Sequence, residues 1–173
     1  HVVELHEHGD LEQLEQEGLA TLPPFFEPLA QAIDYVTAEH DYHRIDMIGL
    51  SGGGWTTTLY AGLDPRITNS YPVAGTLPFT LRVGGDHGDY EQLPERAIYE
   101  LASYLDFYVL SAAEPGRRQL QILNAYDSVC FAVDGREQAV DDYKNQIDFL
   151  TKIQRLLTEG GFVATYKYAL LHA

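Results

Sequence analysis

Ile45-Asp46-Met47-Ile48-Gly49-Leu50-Ser51-Gly52-Gly53-Gly54-Trp55-Thr56-Thr57-Thr58-Leu59-Tyr60-Ala61 is the stretch that decides the fold. It opens on a short apolar run that reads as a strand and ends on a segment that reads as a helix, with G-x-S-x-G between them. A strand that becomes a helix within so few residues brings the two backbones nearly into contact. Gly49 and Gly53 are therefore expected where side chains would collide, and Ser51 is thrust out at the apex. The Gly52 amide, at the start of the helix, points to where an oxyanion would form. A turn serine in a phosphate-binding glycine loop is the competing reading. It is the poorer one, because no G-K-[ST] follows and no G-x-G-x-x-G is present.

Upstream, residues 1–22 are polar and acidic and read as one short strand followed by loop. Pro23-Pro24 then opens a predicted helix whose Phe25, Leu29, Ile33 and Val36 form one apolar stripe. Downstream, Gly62-Leu63-Asp64-Pro65 ends the elbow helix, and Ile67 to Val73 reads as a short strand broken by Pro72. Gly75 to Pro94 is a Gly/Pro-rich loop. Pro94 starts a helical segment to Ala113, with Tyr99, Tyr104 and Tyr108 as packing residues or, for some, substrate-lining ones. Glu114-Pro115-Gly116 is a turn, and Gln119 to Leu123 a strand. Val140, Tyr143, Ile147, Leu150, Ile153 and Leu157 predict an amphipathic helix over 137–158. Gly160-Gly161 ends it, and Phe162 to Tyr166 is the last predicted strand.

Strands alternating with helices imply an α/β fold on a parallel sheet with right-handed crossovers. Sites in such sheets lie beyond the carboxyl ends of the strands. Ser51 follows one strand end, Asp127 follows Leu123, and His172 follows Tyr166, in the order Ser…Asp…His. Asp106 and Asp134 compete for the acid. Asp106 falls inside a helical aromatic segment and Asp134-Gly135 reads as a plain turn, which favours Asp127. His87, in the long loop, is the rival to His172 as general base. Two further clusters, His6 and His8 with Glu4 and Glu7, and Asp86, His87, Asp89 and Glu91, read as solvated or structural groups rather than metal ligands. Cys130 reads as a small buried thiol.

At 173 residues the chain is read as one domain, 1–173, with a small cap-like insertion at about 76–113. The balance of 26 acidic to 11 basic residues, a net charge of −15, disfavours nucleic acid and anionic membranes as partners. A single cysteine rules out an intramolecular disulfide and a cysteine-rich metal site. No apolar run approaches the ~20 residues of a spanning helix. The start, His1-Val2-Val3-Glu4-Leu5-His6, has no basic or apolar leader pattern and no initiator Met, so the chain is expected to be a piece of something longer.

These residues resemble the α/β-hydrolase superfamily. More closely they look like a bacterial branch near the acetylxylan-esterase-like and prolyl-oligopeptidase-like hydrolases. The resemblance spans about residues 20–172 and rests on Ile48 to Thr57, Leu63-Asp64-Pro65-Arg66-Ile67, Ser70 to Pro78, Gly88-Asp89-Tyr90-Glu91-Gln92 and Gln121 to Asp127. It implies a serine hydrolase of ester bonds with Ser51 as nucleophile, Asp127 as acid and His172 as base. Gly52 would supply one oxyanion donor, and no cofactor or metal is implied. A small ester or peptide is the implied substrate; a peptidase of the prolyl-oligopeptidase type and a non-catalytic hydrolase-fold fragment are the alternatives. Two departures stand out. The superfamily's early strands, including the loop that gives the second oxyanion donor, have no counterpart here. The stretch Lys167-Tyr168-Ala169-Leu170-Leu171 is also less polar than in relatives.

Overall fold

A computed structural model describes residues 4–82 and 88–123, together with Asn145, Asp148, Phe149 and Lys152. The chain opens with a 3-10 turn, His8–Asp10, that runs into helix α1, Leu11–Gln16. Among the described residues 4–22 these helical turns stand where a short strand was expected. The Asp10 carboxylate accepts the His6 and Glu7 amides at 2.7 and 3.2 Å, satisfying backbone donors at the start of the turn. The Leu, Glu and Gln that follow are good helix formers, and Leu11 is buried.

Helix α2, Pro23–Glu39, starts on the predicted Pro pair. Strand β1, Ile45–Leu50, leads into helix α3, Gly52–Leu63, and strand β2, Ile67–Val73, returns beside β1. The Pro94–Ala113 segment is two helices rather than one: α4, Ala97–Leu101, and α5, Tyr104–Leu110. The break falls at Ser103, whose hydroxyl and backbone amide exchange hydrogen bonds with the amide and carboxylate of Asp106, a capping box that starts a new helix. Strand β3, Arg118–Gln119, follows the Glu114–Gly116 turn, where Gly116 has φ +88°.

The sheet is parallel throughout, in the order β1-β2-β3. Pro72 does not break β2. Its carbonyl still accepts the Ile122 amide at 2.9 Å, two residues beyond the Leu120 amide's bond to Ser70 at 2.9 Å. The N–H that proline lacks faces the β3 side, and its loss interrupts that ladder. β3 therefore pairs only at Arg118 and Gln119, with a further bridge from Ile122 to Val73, inside the predicted Gln119–Leu123 strand.

α3 lies against the sheet and carries the core on two sides. Trp55 and Leu59 pack with Leu77, Tyr104, Phe107, Tyr108, Ala112 and Leu123. Tyr60 and Ala61 pack with Ile67, Met47 and the apolar stripe of α2. That stripe is half-buried at Phe25, Leu29 and Ile33, while Val36 is exposed. Asn145, Asp148, Phe149 and Lys152 are helical and exposed, on the face opposite the apolar stripe predicted for 137–158. The strand predicted at Phe162–Tyr166 lies outside the described residues. Among the described residues no helix is long and apolar enough to cross a membrane.

Candidate active site

Ser51 sits between β1 and α3 with φ 54° and ψ −121°, a positive φ that a non-glycine residue rarely holds. Such a backbone costs about 1–3 kcal/mol and persists only where its surroundings over-determine it. The surroundings are explicit. The Ser51 amide donates to the Val73 carbonyl at 2.9 Å, and its own carbonyl accepts the Trp55 amide at 2.9 Å. A Cβ at Gly49 would lie 2.0 Å from the Gly53 carbonyl oxygen and 2.6 Å from Thr57 Oγ1. Strand and helix therefore touch through a glycine, and the serine is left exposed at the turn.

Gly53 itself differs from expectation. A Cβ there would meet nothing within 4 Å, because the collision runs from Gly49 onto the backbone of residue 53. The second close approach is between Gly54 and Gly75, where a Cβ on Gly75 would lie 2.1 Å from the Gly54 carbonyl carbon. Gly75 follows Ala74, the other non-glycine residue at positive φ (46°) among the described residues. Ala74 is tied by its amide to the Ile122 carbonyl at 2.8 Å. The carboxyl ends of two neighbouring strands thus both carry an unusual turn. A small pair directly after a strand, Ala74-Gly75, was the sequence signal for the second.

A helix leaves its first amides without carbonyl partners inside the helix, so the Gly52 amide is available to an anion at the apex. Behind it, Thr56, Thr57 and Thr58 each return a hydroxyl bond to the carbonyls of Gly52, Gly53 and Gly54, at 3.0, 2.8 and 3.0 Å. That bonding lets three β-branched residues sit in the first turns of α3.

Under the apex is a buried polar chain. Trp55 Nε1 donates to the Tyr99 hydroxyl at 2.7 Å, and that hydroxyl reaches the Glu91 carbonyl at 3.1 Å and the Tyr104 hydroxyl at 3.1 Å. Burial pushes the Tyr104 phenol up to about 12 and moves Tyr99 further in the same direction, so both stay neutral. The tyrosines predicted as packing residues are that: Tyr104 and Tyr108 are buried. Asp106 is spent on the Ser103 capping box and leaves the list of candidate acids. Asp127, Asp134, His87, Cys130 and His172 lie outside the described residues. Ile122 and Leu123, however, stand at the same end of the sheet as Ser51, since Ile122 bridges Val73 and Val73 pairs with Leu50.

A second group of ligand-type side chains converges elsewhere. His8 Nδ1 lies 2.9 Å from Glu91 Oε2 and 3.9 Å from Asp89 Oδ2. The Glu91 bond holds the His8 imidazole above its ordinary value, against the opposing effect of burial. His8 belongs to one of the two clusters read as solvated or structural, and Asp89 and Glu91 to the other.

No family model matches this chain, and no curated protein matches it. Among solved structures it is similar to an acylaminoacyl peptidase from Pyrococcus horikoshii, with a TM-score of 0.52 and 15% identity. The match covers 92% of this chain and 24% of the peptidase chain. The α/β-hydrolase fold expected from the elbow is therefore the fold of this chain. The chain spans about a quarter of the length of the structure it matches.

Proposed function

We propose that this chain carries the nucleophile of a serine hydrolase that cleaves an ester bond through an acyl-enzyme. One observation carries the reading: Ser51 is exposed at positive φ on a strand–helix turn closed by a glycine contact. Ser51 Oγ attacks the ester carbonyl carbon, His172 accepts the hydroxyl proton, and Asp127 orients the imidazole. Collapse of the tetrahedral species breaks the C–O bond, and His172 returns the proton to the departing alcohol. Water then repeats the sequence on the acyl group. The Gly52 amide, at the head of α3, donates to the oxyanion. The sequence uses no cofactor. In this reading residues 76–113 form a cap-like insertion beside the site, within a single domain.

Cleavage of a peptide bond by the same residues is the second reading. It is favoured by the similarity to an acylaminoacyl peptidase, since ester and amide share one acyl-enzyme. A non-catalytic role is the third. Its support is β1, an edge strand among the described residues, with Ile48 and Leu50 71% and 65% exposed.

The test is labelling with a fluorophosphonate probe followed by peptide mass spectrometry. A single adduct on Ser51, abolished in Ser51→Ala with the circular dichroism unchanged, is expected. A folded chain that takes no adduct at Ser51 supports the non-catalytic reading instead. Parallel turnover of a p-nitrophenyl ester and a peptide anilide separates the first two.

A further inference from the structure

Glu91 is the starting point. Its side chain is 1% exposed, yet only one carboxylate oxygen finds a partner, the His8 imidazole at 2.9 Å. The other, Oε1, is buried with no hydrogen-bond partner among the described residues. An idle oxygen on a buried carboxylate costs about 1–3 kcal/mol, more when the group is ionised. Buried polar atoms of this kind call for an occupant.

The neighbours of Glu91 are of the right chemistry to share one. One ligand-type atom from each of His8, Asp89 and Glu91 can be chosen so that all three lie within 4.8 Å of one another. A tetrahedral ion with bonds of about 2.0–2.2 Å holds its ligand atoms about 3.3–3.6 Å apart. From His8 Nδ1, the separations of 2.9 Å to Glu91 Oε2 and 3.9 Å to Asp89 Oδ2 fall on either side of that spacing. His8 and Asp89 are 49% and 54% exposed, which leaves a route to solvent and a face for water as fourth ligand. The His8 ring is further held by stacking on Phe25, with centroids 6.2 Å apart.

We propose that His8, Asp89 and Glu91 bind one divalent transition-metal ion, of which Zn2+ is the best match. An imidazole nitrogen with two carboxylates suits Zn2+ better than Mg2+ or Ca2+, which prefer all-oxygen shells. The role is structural. His8 and Glu91 are 83 residues apart in sequence, so an ion between them closes a long loop and ties the N-terminal segment to the Tyr90–Gln92 turn. The same two segments already meet beside it. Glu15 accepts from the Tyr90 hydroxyl at 2.9 Å and from Arg96 at 2.7 Å. This inference is independent of whether Ser51 is a nucleophile.

The experiment is competition for Zn2+ between the metal-stripped chain and a chromophoric chelator, with thermal unfolding as a second readout. One equivalent should bind tightly, raise the unfolding midpoint and resist a thousandfold excess of Mg2+. His8→Gln and Asp89→Asn should each weaken binding at least tenfold and remove the thermal shift. His6→Gln and His43→Gln are controls for a surface with 7 histidines and 26 acids, and should change neither readout. Asp89 is half-exposed, so its variant folds even where Glu91→Gln does not. Absence of a tight equivalent, or equal binding by Asp89→Asn and the controls, overturns the proposal.

Discussion

The two ends of α3 are held by opposite means. At the N-terminal end, Gly49 meets the backbone of Gly53 and Gly54 meets Gly75, so position is fixed by the absence of side chains. At the C-terminal end it is fixed by charged ones. Arg117, buried behind the helix, donates to the carbonyls of Ala61 and Asp64 at the end of α3. It also reaches Ile67 in β2 at 3.0 Å and Leu110 in α5 at 3.1 Å. Asp64 accepts from Tyr60 at 2.8 Å and from Arg66 at 2.7 Å, and Arg66 reaches on to Asp34 in α2. The glycine end has little freedom to repack, because backbone atoms do not move aside as side chains do. The charged end anchors the helix against its neighbours, while the serine at the opposite end takes its geometry from the local glycine contacts and its own backbone bonds.

Gly49→Ala should have the largest effect. Its methyl would sit 2.0 Å from a main-chain oxygen, so strand and helix must separate. A loss of about 3 kcal/mol or more in urea unfolding is expected, with loss of fluorophosphonate labelling at Ser51. Gly53→Ala is the counterpart, since its methyl meets open space. It should be neutral or stabilise by up to about 1 kcal/mol through helix propensity. Equal damage from both substitutions would break the comparison at its glycine end.

Arg117→Met comes next. It removes a charged donor from four carbonyls while keeping apolar volume, and about 2–4 kcal/mol should be lost in urea unfolding. Labelling per folded molecule should stay unchanged, because the elbow is fixed locally. A fall in labelling rate larger than the fall in folded fraction would mean that the far end of α3 sets the serine geometry directly.

The glycine end was legible in the sequence and the charged end was not. Gly49, Ser51 and the run Ile45–Leu50 lie within a few residues of one another, and a local steric rule reads them together. The same holds for Ile67–Val73. Arg117 gives no such signal, since its acceptors are backbone carbonyls on three other elements. The His8–Glu91 pairing spans 83 residues and was equally hidden. The helical break before Tyr104 was readable in principle, as Ser103 three residues before Asp106 is a capping pattern, but the aromatic spacing across it suggested continuity. Of the candidate triad only Ser51 is among the described residues, so Asp127 and His172 rest on chain order and strand ends alone.

Asp64 makes the charged end sensitive to acid. Burial alone would raise its carboxyl, but the Arg66 and Tyr60 donors outweigh this and hold it below its ordinary value. A lowered carboxyl contributes stability above its unfolded value of about 4 that is lost as the pH falls through the folded value. Wild type should therefore lose more stability than Asp64→Asn on going from neutral pH to about pH 3, in melts recorded across that range. Parallel curves for the two chains would show that the Arg66 contact is screened.

Ser103→Ala should be the mildest of the set, and it tests whether α5 depends on either end of α3. The Ser103 hydroxyl lies 2.7 Å from the Asp106 carboxylate, which also accepts the Ser103 amide at 2.8 Å. Removing an N-cap of this kind costs about 1 kcal/mol. α5 carries Tyr104, Phe107 and Tyr108 into the core beside Trp55, so the loss should register as a few degrees in the melting temperature. It should leave Ser51 labelling as in wild type, because the capping box touches neither the glycine contacts nor the Arg117 carbonyls. Asp106→Asn should cost a similar amount, and the double variant less than the sum, since the two residues form one box. A loss near that of Arg117→Met would show that α5 is docked through its first turn rather than through its buried rings.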